Sequence, residues 1–179
     1  PDPLGVQMAL NDVWVNLVQQ PDTLREAHAE LWRRYAEIWQ KHTAYMLTGQ
    51  MPGDEPTRDK RFKDPEWRSN PGFSMMRETY LATAEFINDL ITRTEGVDEA
   101  VKRKAAFFVK QAVDAASPSN FLMTNPAALR ELLATHGESL VKGVDNLAED
   151  LKRGKGVLAI KQTDLSAFTL GENIADLGG

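Results

Sequence analysis

Leu24, His28, Leu31, Tyr35, Ile38, His42 and Tyr45 recur at alternating spacings of four and three, which places seven side chains on one stripe of an α-helix. A strand cannot carry that pattern, because its side chains alternate with a period of two. The spacing predicts a long helix from Thr23 to Met46. Thr23 with Glu26 three residues later is the pairing in which two side chains satisfy free amides of a first turn, and Gly49 and Pro52 mark the end.

The same period returns further along the chain. Phe73, Met76, Tyr80, Thr83, Ile87, Leu90 and Ile91 share one face of a helix that Gly96 closes. Val101, Ala105, Phe108 and Ala112 predict another from about Asp98 to Ala116, stopped by Pro118. Asn125-Pro126 starts the next, since asparagine caps free amides and proline is tolerated in a first turn. His136-Gly137 interrupts it, and Leu140, Val144, Leu147 and Leu151 then continue to a finish near Arg153 and Gly154.

Between the first two of these helices, residues 49–71 carry Pro52, Pro56, Pro65 and Pro71, which remove amide donors and forbid a long regular element. Phe62 and Trp67 favour an ordered loop over a solvated linker there. Beyond Gly156, Val157-Leu158-Ala159-Ile160 reads as a short strand or an extended arm, followed by a weak helix around Ser166 to Ile174. The expected fold is all-α: an irregular bundle of about five to six helices with a proline-rich loop and an extended carboxyl-terminal arm. Residues 1–156 would form the helical domain and residues 157–179 the arm.

Charge and composition exclude several functions. A net charge of -5 leaves no footprint for nucleic acid, and the cations Arg58, Lys60, Arg61 and Lys63 are interleaved with Asp59 and Asp64, as in a solvated, partly self-paired loop. The longest strictly apolar run, Ala105 to Val109, is far short of the roughly 20 residues a membrane helix needs, so no transmembrane segment is expected. Zero cysteines remove disulfides, thiolate metal sites and cysteine nucleophiles, and the cytoplasm is the unforced location. The chain starts at Pro1 without methionine and ends at Gly178-Gly179, which suits an excised piece.

No residue pattern reads as a catalytic or cofactor site, and neither a metal nor a cofactor is expected. Gly137-Glu138-Ser139 lacks the second glycine of a nucleophile elbow and reads as a helix start. His28 and His42 lie roughly 21 Å apart along one helix and cannot share a metal within one chain, so structural roles are the better reading. Gly154-Lys155-Gly156 is a turn rather than a phosphate loop, and Glu149-Asp150 is solvated helix surface. The segment from Pro3 to Gln20 is more informative, because Asp12 is its only ionisable side chain while Leu4, Met8, Leu10, Val13, Trp14, Val15, Leu17 and Val18 supply apolar surface broader than one face. That surface covers the domain's own core, pairs with a partner helix or lies on an apolar particle.

Two proline-bounded blocks carry a resemblance. Asp59-Lys60-Arg61-Phe62-Lys63-Asp64-Pro65-Glu66-Trp67-Arg68-Ser69-Asn70-Pro71 and Ser117-Pro118-Ser119-Asn120-Phe121-Leu122-Met123-Thr124-Asn125-Pro126, with the stretch from Gly137 to Gly156, resemble the amino-terminal region of class I polyhydroxyalkanoate (poly-3-hydroxybutyrate) synthases. The resemblance implies an acyltransferase that polymerises (R)-3-hydroxyacyl groups from CoA thioesters, with a cysteine, a histidine and an aspartate in a carboxyl-terminal α/β-hydrolase domain. None of those three has a matching position in this chain, so the piece itself is expected to be inactive. For the amino-terminal region it implies partners: the catalytic domain of the same synthase, a homodimer, and the polyester granule or its phasin coat. Phe62, Trp67, Asn120, Phe121 and Leu122 would contact the catalytic domain, or else close the domain's own core. Leu10, Val13, Trp14 and Leu17 would face a partner or the granule. The competing function is a stand-alone helical adaptor or phasin-like granule protein.

Overall fold

The structure, a computed structural model, describes residues 5–49 and 59–153. Among these residues the chain is all-α, with helices α1 (Val6–Val18), α2 (Pro21–Thr48), α3 (Glu66–Ser69), α4 (Pro71–Arg93), α5 (Glu99–Ala115), α6 (Pro126–Ala134) and α7 (Glu138–Arg153). Two 3-10 turns, Lys60–Phe62 and Pro118–Asn120, lie between them, and no strand occurs among the described residues. The strand or arm expected after Gly156 lies outside the described residues, as does most of the proline-rich stretch before Asp59.

Local chemistry sets the helix limits. Asn70 accepts hydrogen bonds from the amides of Gly72 and Phe73 and starts α4, Asp98 accepts from Ala100 to start α5, and Asn125 accepts from Ala127 and Ala128 to start α6. The Thr23 and Glu26 pairing does not start α2. That helix begins earlier, at Pro21, whose fixed φ suits a first turn and whose missing amide would have been unpaired anyway, so Thr23 is already helical. Gly49, at φ 68°, ends α2 with its amide on the Tyr45 carbonyl. His136 and Gly137 both take positive φ and break α6 from α7.

Contacts divide the chain at Arg130 into two units. In the first, α4 is the central helix, packed by α2, α3 and α5, while α1 lies against α5 and α2. Ion pairs from Arg34 to Glu85 and from Lys41 to Glu78 show that α2 and α4 run antiparallel. Small residues make the close approaches. Ala9, Val13, Ile91 and Ala105 form the core between α1, α4 and α5, with Val97, Val101 and Val109 packed around it, and Ala27 and Ala82 are buried on α2 and α4.

One polar latch closes this arrangement. The Gln20 side chain donates to the Glu95 carbonyl at 3.0 Å and accepts from the Glu95 amide at 3.1 Å, joining the α1–α2 junction to the α4–α5 turn. The neighbouring Gly96 has a φ of 78°, and a Cβ there would lie 2.8 Å from Asn16 Oδ1. Only glycine meets both conditions. The α4 helix itself stops earlier than Gly96, at Arg93, where the Thr94 hydroxyl donates back to the Leu90 carbonyl. In the second unit, α7 carries Leu140, Val141, Val144, Leu147 and Leu151, all of them exposed.

Candidate functional site

The two proline-bounded blocks meet at one end of α4 and α5. In the first, Asp59 caps the turn at Lys60–Phe62, and the turn delivers Phe62 inward. Trp67 on α3 follows it, and both rings are 1 % exposed. They meet edge to face at 4.8 Å, with Phe73 and Tyr80 at 5.6 Å and 5.9 Å completing an aromatic cluster. Above it lies Arg61, its guanidinium over the Phe62 and Tyr80 rings.

Arg61 ties this block to α5. It bonds both oxygens of Asp59, the Tyr80 hydroxyl at 2.7 Å and Asp114 Oδ1 at 2.7 Å, and Tyr80 donates in turn to the Val113 carbonyl. The hydrogen bonds from Arg61 hold the Asp59 carboxyl below its usual range, and Asp59 in turn raises the guanidinium. Asp114 is lowered by its bond from Lys110 and by the nearby Arg61. The mixed-charge loop is therefore self-paired through Asp59 as expected, while Arg61 also reaches across to a distant helix.

The second block is built around helix-end chemistry. Asn120 donates to the carbonyls of Asp114 and Ala115 in the last turn of α5, where the Asp114 carbonyl also accepts from the Ser117 amide. Thr124 and Asn125 bond back to the carbonyls of Pro118 and Ser119, fixing the loop over the turn at Pro118–Asn120. Arg130 on α6 then bonds Asp64 at 2.6 Å and pairs with Glu66, joining the second block to the first and lowering the Asp64 pKa. The result is a platform tied by side-chain bonds. In the second block Phe121 stands 54 % exposed beside exposed Met123 and half-buried Leu122, whereas Phe62 and Trp67 of the first are buried.

On α1, Val13 and Leu17 are buried in the chain's own core, whereas Leu10 and Trp14 are exposed together with Met8. The four residues named for this segment therefore divide between the buried and the exposed edge of one stripe.

A second polar cluster lies between α2 and α4. Glu78 accepts from Lys41 at 2.8 Å and from Ser74 at 3.3 Å, with His42 Nε2 at 3.6 Å and Arg77 Nη2 at 3.4 Å. Burial opposes ionisation of Glu78, yet Lys41, His42 and Arg77 together hold its pKa below the usual value. The Ser74 hydroxyl is bonded to the carboxylate rather than to the imidazole, so the cluster lacks the serine–histidine contact that activates a nucleophile. His28 is exposed, bonded through Nδ1 to the Leu24 carbonyl and edge-on to Phe86 at 5.0 Å. No group of three or more histidines and carboxylates among the described residues is placed to hold a metal, and no described helix is long and apolar enough to cross a membrane.

Sequence reasoning overlooked the outer face of α2. Trp32, Trp39 and Met46 are exposed there. They repeat every seven residues, a signal present in the sequence but one register away from the inward stripe.

The described residues thus form an all-α unit that leaves Trp14, Trp32, Trp39 and Phe121 exposed. Residues 58–179 match the family model described as the poly-beta-hydroxybutyrate polymerase (PhaC) N-terminus, and the chain belongs to that family. It is 39% identical to the poly(3-hydroxyalkanoate) polymerase subunit PhaC of Rhizobium etli over 93% of its own length and 27% of that protein. The corresponding subunit of Cupriavidus necator is 37% identical over 87% of this chain and 25% of that protein. The poly(3-hydroxyalkanoate) polymerase of Methylorubrum extorquens is 37% identical over 88% and 26%. The chain thus spans about a quarter of the length of these relatives. No solved structure matches it.

Proposed function

We propose that this chain is the non-catalytic amino-terminal domain of a polyhydroxyalkanoate synthase. In this reading it supports dimerisation and activation of the catalytic domain and places the enzyme on the cytoplasmic polyester granule while (R)-3-hydroxyacyl-CoA is polymerised. The observation that carries the reading is the match to the amino-terminal quarter of proteins named as polymerases, in a chain without cysteine. The platform supports it: Asn120 ties the loop to α5, Phe121 and Leu122 offer apolar surface to a catalytic domain, and Phe62 and Trp67 are buried in the domain's own core. On the other side, Leu10 and Trp14 are available to a granule or its coat, while Val13 and Leu17 hold α1 to the core.

The test is CoA release by the matching catalytic domain, expressed separately, with and without this chain added in trans. Stimulation or a shortened lag that Phe121→Ala abolishes is the expected result. No change in rate at saturating chain, with no binding to the catalytic domain, would overturn the reading.

A further inference from the structure

Ala29, Trp32, Ala36, Trp39, Thr43 and Met46 follow one another along α2 at intervals of three and four, and all six are exposed. Trp32 is 67%, Trp39 64% and Met46 71% exposed, although large aromatic and thioether side chains are costly to leave in water. A repeat of seven with two apolar positions is the seam of a two-helix coiled coil, in which each side chain enters a hole on the facing helix. Here one seam position is always large (Trp32, Trp39, Met46) and the other always small (Ala29, Ala36, Thr43).

That alternation selects an occupant. Two copies of α2 running parallel in register would set tryptophan against tryptophan in one layer and alanine against alanine in the next, crowding the first and leaving the second hollow. Antiparallel copies, related by a two-fold axis between Glu37 and Ile38, set Trp39 opposite Ala36, Trp32 opposite Thr43 and Met46 opposite Ala29. Every large side chain then meets a small one, and the contact is isologous. The flanking exposed row agrees, since the same symmetry brings Arg33 beside Gln40 and Glu26 beside Leu47, with no like charges facing each other. The opposite flank, Tyr35 and His42, is turned toward α4 of the same chain.

We propose that the outer face of α2 is a homodimer interface in which two copies of this chain pair their α2 helices antiparallel through this six-residue seam. This deepens the proposed function, and rests on it, by naming the surface and the partner through which the domain brings two copies together. The two tryptophans and the methionine remove on the order of 400–500 Å² per copy from water, so both copies with the Arg33, Gln40 and Leu47 flank approach the roughly 1,200 Å² at which specific interfaces begin.

The absence of cysteine makes the register directly testable. Ala29→Cys and Met46→Cys are both surface changes. In the antiparallel register each position lies roughly 26 Å along the helix from its own counterpart but opposite the other position. Mixed, the two variants are expected to form a disulfide-linked heterodimer, while neither cross-links alone. Ala36→Trp fills the hole that receives Trp39 and raises the dimer dissociation constant at least about tenfold, and combining it with Trp39→Ala exchanges large for small across the axis and restores association. Cross-linking of Ala29→Cys with itself, failure of the exchange to rescue, or a chain that stays monomeric while binding polyester particles through Trp32 and Trp39 would each overturn the pairing. Because these measurements use the chain alone, they can fail while stimulation of the catalytic domain succeeds, and the reverse.

Discussion

Replacing Phe62 by alanine separates a core role from a contact role for the first proline-bounded block. The ring is buried among Trp67, Tyr80 and the Arg61 guanidinium. A buried aromatic removes about 150–250 Å² from water, which at about 25 cal/mol per Å² is about 4–6 kcal/mol. The alanine methyl retains about 1 kcal/mol of that, and an unfolded chain that already hides part of the ring lowers the figure further, leaving about 3–4 kcal/mol. Measured losses for such truncations, about 3–5 kcal/mol, agree. In urea, with about 1–3 kcal/mol per molar of slope, the unfolding midpoint followed by far-ultraviolet circular dichroism should fall by at least about 1 M. Phe121→Ala, taken from the exposed rim of the same platform, should cost under about 0.5 kcal/mol. If both substitutions shift the midpoint equally, or Phe62→Ala costs less than about 1 kcal/mol, the aromatic cluster does not anchor the unit and the burial argument is wrong.

Two further tests probe the polar ties. Gly96→Ala should destabilise the chain by about 1–2 kcal/mol, from its positive φ and from Asn16; adding Asn16→Ala should recover only part, because the backbone cost remains, and thermal melts of the three variants check this. Asp59, Asp64, Asp114 and Glu78 all have depressed folded-state pKa values, so their stabilisation is present above the unfolded carboxylate range near pH 4 and is lost as pH falls through the lower folded values. Urea midpoints measured from pH 7 downward should therefore hold until about pH 5 and then decline, with a shallower decline in Asp59→Asn.

The helices were legible where a cap and a period agreed. Asp98 and Asn125 bond the amides their positions predict, and Gly49 takes the left-handed conformation that ends α2. The start of α2 was misread because a threonine–glutamate pairing and a proline two residues earlier make competing claims, and the proline's rigid φ prevails. Asn70-Pro71 starts α4 with the same chemistry as Asn125-Pro126, yet the run of prolines before it drew attention to the loop instead. Burial on α4 was harder to read, because a helix covered on several sides hides polar residues too: Ser74 and Arg77 are more deeply buried than most of its apolar stripe. Within the two blocks, aromatic content did not separate Phe62 and Trp67, which are buried, from Phe121, which is exposed. That distinction depends on Arg61 reaching Asp114 and on Arg130 reaching Asp64, pairings between residues 53 and 66 positions apart that no local pattern encodes.

The central position of α4 also governs how the first unit comes apart. Its two long neighbours are each held to it by ion pairs or small-residue contacts, and α1 is fastened across both through Gln20 and Glu95. For α2, α4 is the only wall of comparable extent among the described residues, whereas α5 rests on α1 as fully as on α4, so detaching α2 strips cover from the helix that α5 shares with α1. Cooperativity in this unit is thus a property of shared walls rather than of a single large core: a perturbation at the platform, the latch or the α2–α4 ion pairs is felt as a change in the stability of the whole.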